Sequence, residues 1–148
     1  PVASTKFLGL ILDQNLTFKQ HADYAAAKGR FWINQTKRIS KTVKGMQGVY
    51  SRHLYLTVCV PRMLYGASIW LNPIRRAPNT RARGSVAAAA ALSRVQRTAA
   101  LHITGGMRTS PTDLLNAHAD LLPMELLIDK WCHREALRLA SLPATHLL

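Results

Sequence analysis

The chain has 148 residues, 48% of them hydrophobic, with 20 lysines and arginines against seven aspartates and glutamates, a formal charge of +13. That apolar share supports one globular domain with a real core. No run of 18 or more apolar residues occurs, which excludes a hydrophobic membrane-spanning helix, and the N-terminus lacks the charged-then-apolar order of a signal peptide. A soluble intracellular protein, nuclear or cytoplasmic, is the expectation. Cys59 and Cys132 stand apart, each within a helical pattern, and read as buried thiols in a reducing compartment.

The first predicted element is an apolar strand over Lys6 to Asp13, with Leu8, Leu10 and Leu12 on one face and Phe7, Gly9 and Ile11 on the other. Both faces want cover. Its pairing partner is not evident downstream, so the expectation places it upstream of Pro1, in a longer polypeptide from which this piece was cut. Asn15 and Thr17 offer N-cap oxygens for a helix from about Phe18 to Ser40. Its apolar stripe is Phe18, Ala22, Ala25, Gly29, Trp32, Thr36 and Ile39. The small residues on that stripe admit a neighbouring helix.

Gly45 and Gly48 break that helix, and a second runs from about Val49 to Leu71 with Pro61 inside it, so a kink is predicted near Thr57 to Pro61. Its apolar face is read as Leu54, Val58, Pro61, Tyr65 and Ile69, widened by Leu56, Val60, Met63 and Leu64. Residues 72–84 form a basic, mobile loop by composition. Ser85 opens an alanine-rich helix from about Val86 to Thr104, ended by Gly105 and Gly106. A short helix to about Ala119 follows Pro111, and a last one runs from Leu122 to about Ser141. The expected architecture is mainly α: a bundle of about four to five helices with one N-terminal β-strand or hairpin. It divides into a strand and turn over 1–17 and a helical domain over 18–142.

Charge placement points to the partner. No acidic residue lies between Asp23 and Asp113, while fifteen lysines and arginines do. Such a field repels itself unless a polyanion neutralises it, so nucleic acid is the first candidate. The six histidines have no metal-ligand spacing, and the acids form no paired-aspartate motif for two magnesium ions. No catalytic constellation is present.

Four blocks carry a resemblance. Lys6-Phe-Leu-Gly-Leu-Ile-Leu-Asp13 with Leu16-Thr-Phe-Lys-Gln-His21 opens the chain, and Pro61-Arg-Met-Leu-Tyr-Gly-Ala-Ser-Ile-Trp70 follows. Leu92-Ser-Arg-Val-Gln-Arg97 continues to Ile103-Thr-Gly-Gly-Met-Arg-Thr-Ser-Pro-Thr112, and Leu121-Leu-Pro-Met-Glu125 closes the series. In this order they resemble the region after the catalytic palm in reverse transcriptases of non-LTR retrotransposons. The likeness covers most of the chain; the arginine-rich stretch Pro73 to Gly84 departs from it.

The resemblance implies a primer-grip strand, then the thumb and connection toward a ribonuclease H domain. It implies that the metal-binding aspartates lie upstream, so no cofactor is expected in this segment and no polymerisation by it alone. The implied partners are an RNA/DNA template-primer, bound without sequence preference, and the palm of the parent chain; no membrane is expected. A thumb grips a duplex of changing sequence, so its contacts go to phosphate and sugar. Lys28, Arg30, Lys37, Arg38, Lys41, Lys44 and Arg52 are the candidate phosphate track, with Lys6, Phe7, Leu8 and Gly9 as the grip. Tyr50, Tyr55 and Tyr65, at helical spacing, read as core rather than stacking residues. The alternative is a basic helical protein-interaction or scaffold module that meets an acidic protein.

Overall fold

The computed structural model describes residues 3–40 and 46–143. It is mainly helical, with a two-stranded antiparallel hairpin at its N-terminal end. Strand β1 (Ser4–Phe7) pairs with β2 (Leu10–Asp13), Ser4 opposite Asp13 and Phe7 opposite Leu10. This corrects the single strand expected over Lys6 to Asp13. The chain reverses at Leu8 and Gly9, whose φ angles of +46° and +88° form a two-residue turn of the hand that suits twisted strands. The partner of β2 is therefore Ser4–Phe7 rather than a strand upstream of Pro1. The cue was hidden because leucine is a poor residue for a left-handed position.

Helix α1 (Lys19–Ile39) starts under the hairpin. Neither Asn15 nor Thr17 supplies the expected N-cap oxygen. The cap position, Phe18, receives no side-chain cap bond; the Asp13 carboxylate instead ties the turn before the helix, accepting from the backbone N–H of Thr17 at 2.9 Å and of Phe18 at 2.8 Å, and from the Thr17 hydroxyl at 2.7 Å. These bonds, the Thr17 hydroxyl's first, hold the Asp13 carboxyl below its ordinary value of 3.8. The buried residues of α1 are His21, Ala22, Ala25, Ala26, Gly29 and Ile33, so Trp32 lies on the flank and Ile39 is exposed.

Gly29 is where three helical segments meet. A Cβ there would stand 2.7 Å from Met63 Sδ and 2.9 Å from Val95 Cγ1, a spacing only glycine tolerates. Val95 belongs to α5 (Val86–Thr104), which lies along α1 in the same direction: Lys19 and Ala22 share a cavity with Val86 to Ala91, and Ser40 meets His102. Gly105 ends α5 in the left-handed conformation at φ +66°, as glycine after a helix predicts.

The second predicted helix is broken into α2 (Gly48–Leu54), a π-helical turn over Tyr55–Cys59, α3 (Val60–Met63) and α4 (Ala67–Trp70). The kink ascribed to Pro61 takes the form of that wide turn, in which the Val60 N–H reaches back to the Tyr55 carbonyl. A second break follows at Gly66, φ +63°. Together they turn the inner face: Tyr55, Val60, Met63 and Leu64 are buried as expected, and Cys59, Ala67 and Trp70 join them. Tyr65 and Ile69, expected inside, are exposed, and so is Tyr50.

Helices α6 (Thr112–His118) and α7 (Met124–Ala140) close the structure. A buried amide ties them to α5. Gln96 Nε2 donates to Asn116 Oδ1 at 3.1 Å and to the Leu122 carbonyl at 2.9 Å, while Gln96 Oε1 accepts from the Tyr55 hydroxyl at 3.3 Å. Only the first half of α7 is buried, through Met124, Leu127 and Ile128; Leu137 and Leu139 face outward. In the arginine-rich loop, Arg75 and Arg83 exchange backbone hydrogen bonds at 3.0 Å, and Arg76 pairs with Glu125 at 2.7 Å.

Candidate nucleic-acid interface

The hairpin tip is seated by the motif around Tyr65. The Tyr65 hydroxyl donates to the Leu8 carbonyl at 3.3 Å, and its ring leaves no slack beside Gly9, where a Cβ would lie 3.3 Å from Tyr65 Cε1. Below the tip, the Ile11 N–H donates to His21 Nδ1 at 3.2 Å, and the His21 ring meets Trp70 edge to face at 4.8 Å. Burial, and then the charge of Lys28, hold the His21 imidazole below its ordinary 6.5. A neutral ring accepting at Nδ1 carries its proton on Nε2, so the hairpin is docked by an uncharged histidine.

With the hairpin fixed, Lys6 is brought over α1. Its ammonium lies 3.5 Å from the Tyr24 hydroxyl and 5.2 Å from the centre of the ring; Lys28 lies 5.1 Å from the same ring. The hydrogen bond from Lys6, then the charge of Lys28, lower the Tyr24 phenol from its ordinary 10. Two cations thus share one aromatic ring, with Phe7 and Leu8 of the hairpin tip exposed. Leu8 holds its left-handed conformation at 76% exposure, a strained backbone with nothing buried to compensate it.

The other expected cations do not continue this patch. At about 100° per residue, Lys28 and Lys37, nine residues apart, lie half a turn apart on α1. Arg30 falls on the Lys37 side, exposed, and Arg38 is exposed between the two flanks. The expected single track is therefore two separate surfaces. Lys37 lines a cleft of about 570 Å³ with Arg97, Thr98, Leu101, His102, Gly106 and Arg108. The Arg97 guanidinium is held there, donating to Thr112 Oγ1 and to the Arg108 carbonyl, both at 2.7 Å. His102 Nε2 stands 2.9 Å from Ser40 Oγ, and burial followed by the Lys37 charge lowers its imidazole from 6.5.

No protein-family model, curated protein or solved structure matches the chain.

Arg52 departs from the expected phosphate track. Its guanidinium donates to the carbonyls of Ala119 and Asp120 and pairs with the Asp120 carboxylate at 2.6 Å, so it fastens α2 to the C-terminal end of α6. Lys41 and Lys44 lie outside the described residues. Among those described, no group of three or more His, Cys, Asp or Glu is placed to hold a metal ion, and no helix is long and apolar enough to cross a membrane.

Sequence reasoning missed Tyr24, Arg97 and His102; Gly105-Gly106 followed by Arg108 could be weighed as a phosphate cradle, and reads as a helix cap because a helix C-terminus presents carbonyls. Tyr24 had a signal, since it precedes Lys28 by four residues and shares its helix face. Arg97 had none, because the turn after α5 is what folds the chain back onto it.

Proposed function

We propose that this chain binds the sugar–phosphate backbone of an RNA/DNA template-primer without reading its sequence. It does so as the primer-grip, thumb and connection portion of a non-LTR retrotransposon reverse transcriptase, an RNA-directed DNA polymerase whose chemistry resides in an upstream palm. The observation that carries the reading is the convergence of Lys6 and Lys28 on Tyr24. Neither ammonium is among the three carboxylate ion pairs of the described residues, which engage Arg52, Arg76 and Arg138. Paired unneutralised cations beside an exposed apolar tip suit a strand end, with phosphates held by charge and sugar or base faces by Tyr24, Phe7 and Leu8. The exposed tip, seated from behind by Tyr65, also suits docking on a palm.

The test is binding of a labelled RNA/DNA hybrid with 5′-hydroxyl ends across a range of salt. Affinity should fall steeply with salt, and Lys6→Met and Lys28→Met should each reduce the log–log slope by about 0.7–0.9. Lys130→Met, on the exposed side of α7, should change nothing. Absence of binding at low salt, or slopes unaffected by both substitutions, would overturn the reading.

A further inference from the structure

We infer that the cleft between the C-terminal ends of α1 and α5 is a phosphate-monoester site, with Lys37, Arg97 and Arg108 as its cationic ligands and His102 in its wall. The first ground is shape: one solvent-open cleft of about 570 Å³ between the two helix ends brings Lys37, Arg97, His102, Gly106 and Arg108 together.

The second is preorganisation. Arg97 is fixed by two short hydrogen bonds, to Thr112 Oγ1 and the Arg108 carbonyl, both made by terminal nitrogens. A guanidinium carries five N–H donors, so this arginine is held in place while keeping donors to offer. Gly105, left-handed, sends the chain back so that Gly106 and Arg108 form the far wall.

The third is charge balance. Cations at helix C-termini have an ordinary explanation, since each terminus carries about half an elementary negative charge. Two helix ends call for about one compensating charge in all. Among the described residues, the cleft is lined by three cations and no carboxylate. The excess is about two positive charges, which matches a phosphate monoester, about −1.5 to −2 at neutral pH, better than the single charge of a phosphodiester. The same chemistry is offered by inorganic phosphate and by the terminal phosphate of a nucleic-acid strand. The strand as source rests on the function proposed above; the anion site itself stands on its own geometry.

Titrating inorganic phosphate into the full chain at constant ionic strength, balanced with chloride, tests the site. Binding should be saturable by calorimetry and should shift the His102 ring and Gly106 amide resonances in the unaltered protein. Lys37→Met and Arg108→Met should each weaken it by roughly tenfold, the usual loss for one charge-assisted hydrogen bond, with Lys130→Met as the charge-matched control. A response that chloride reproduces, or affinity untouched by both substitutions, would mean that these cations only compensate the helix ends, and the inference fails.

Competition then identifies the source. A 5′-phosphorylated oligonucleotide that displaces phosphate where its 5′-hydroxyl twin does not assigns the site to strand ends. If neither displaces it, the ligand is free phosphate. Equal displacement by both overturns the monoester assignment. The hybrid assay with 5′-hydroxyl ends reads Lys6 and Lys28 separately, so either proposal can fail without the other.

Discussion

Replacing Gln96 by leucine keeps the volume of a fully buried side chain and removes three hydrogen bonds, to Asn116, Leu122 and Tyr55. Leaving a buried polar group without its partner costs about 1–3 kcal/mol. The Leu122 residue is partly exposed and its carbonyl can recover water, so its penalty is small; Asn116 Oδ1 and the Tyr55 hydroxyl are enclosed. Two enclosed groups less the gain from burying extra apolar surface give a net loss of about 2–4 kcal/mol. For a domain of this size that is a large share of a total near 5–15 kcal/mol. Urea unfolding followed by circular dichroism should show a lower midpoint at an unchanged slope. Tyr55→Phe alone should cost about 1 kcal/mol, because it strands Gln96 Oε1, and should cost nothing further in the Gln96→Leu background. Stability within about 0.5 kcal/mol of the parent for Gln96→Leu, or strict additivity of the pair, would refute the network as the tie between α5, α6 and α7.

The depressed imidazoles of His21 and His102 make stability pH-dependent: their contribution is complete above 6.5 and is lost as pH falls toward their folded values, since the unfolded chain then binds more protons. His21→Leu should flatten that decline in a series of thermal melts, and an unchanged profile would count against a neutral docking histidine. Leu8→Asn supplies the residue that a left-handed turn position prefers, so it should stabilise the hairpin by roughly 1 kcal/mol while weakening hybrid binding. A gain in both would show that the exposed leucine does nothing for the partner. Cys59 is enclosed and burial pushes its thiol up to about 11, so at pH 8 roughly one molecule in a thousand presents a thiolate. It should resist alkylation until the protein unfolds; labelling of native Cys59 at the rate of a free thiol would contradict the packing.

What the sequence revealed divides along local and non-local causes. Helix α5 begins after Ser85 and stops at Gly105, the bounds read from the sequence; the glycine acts locally through its left-handed backbone, whereas the Ser85 hydroxyl makes no cap bond and accepts from the Asn72 N–H. The hairpin was read as one strand because its reversal uses Leu8-Gly9 instead of an asparagine or aspartate, and alternation continues unbroken across it. The second helix misled for a different reason. Its apolar residues keep helical spacing, but the π-helical turn and Gly66 each rotate the face, so an even period points Tyr65 and Ile69 the wrong way. Basic residues were visible as a population, yet which of them are occupied was not: Arg52 is engaged by carbonyls some seventy residues away, and no periodicity encodes that.

The blocks that resemble retrotransposon reverse transcriptases turn out to touch one another. Tyr65 seats Leu8 and Gly9, Trp70 backs His21 and Gln96 reaches Leu122, while Arg97 ties the two parts of its own block through Arg108 and Thr112. Their residues mostly build the frame, so the surfaces offered to a ligand are the cations that the frame positions. Those fall into two patches separated by half a turn of α1 and, at about 1.5 Å per residue, about 13–14 Å along its axis between Lys28 and Lys37. One straight phosphate backbone does not reach both without wrapping round the helix. Under the two proposals above the patches engage different groups, the backbone at Lys6 and Lys28 and a phosphate end at Lys37, Arg97 and Arg108. Sites so far apart with no shared partner should contribute independently, so the effects of Lys28→Met and Lys37→Met on binding a 5′-phosphorylated hybrid should add within about 0.5 kcal/mol. A coupling well above that would mean a single ligand group spans both flanks, and the division drawn between them would fall.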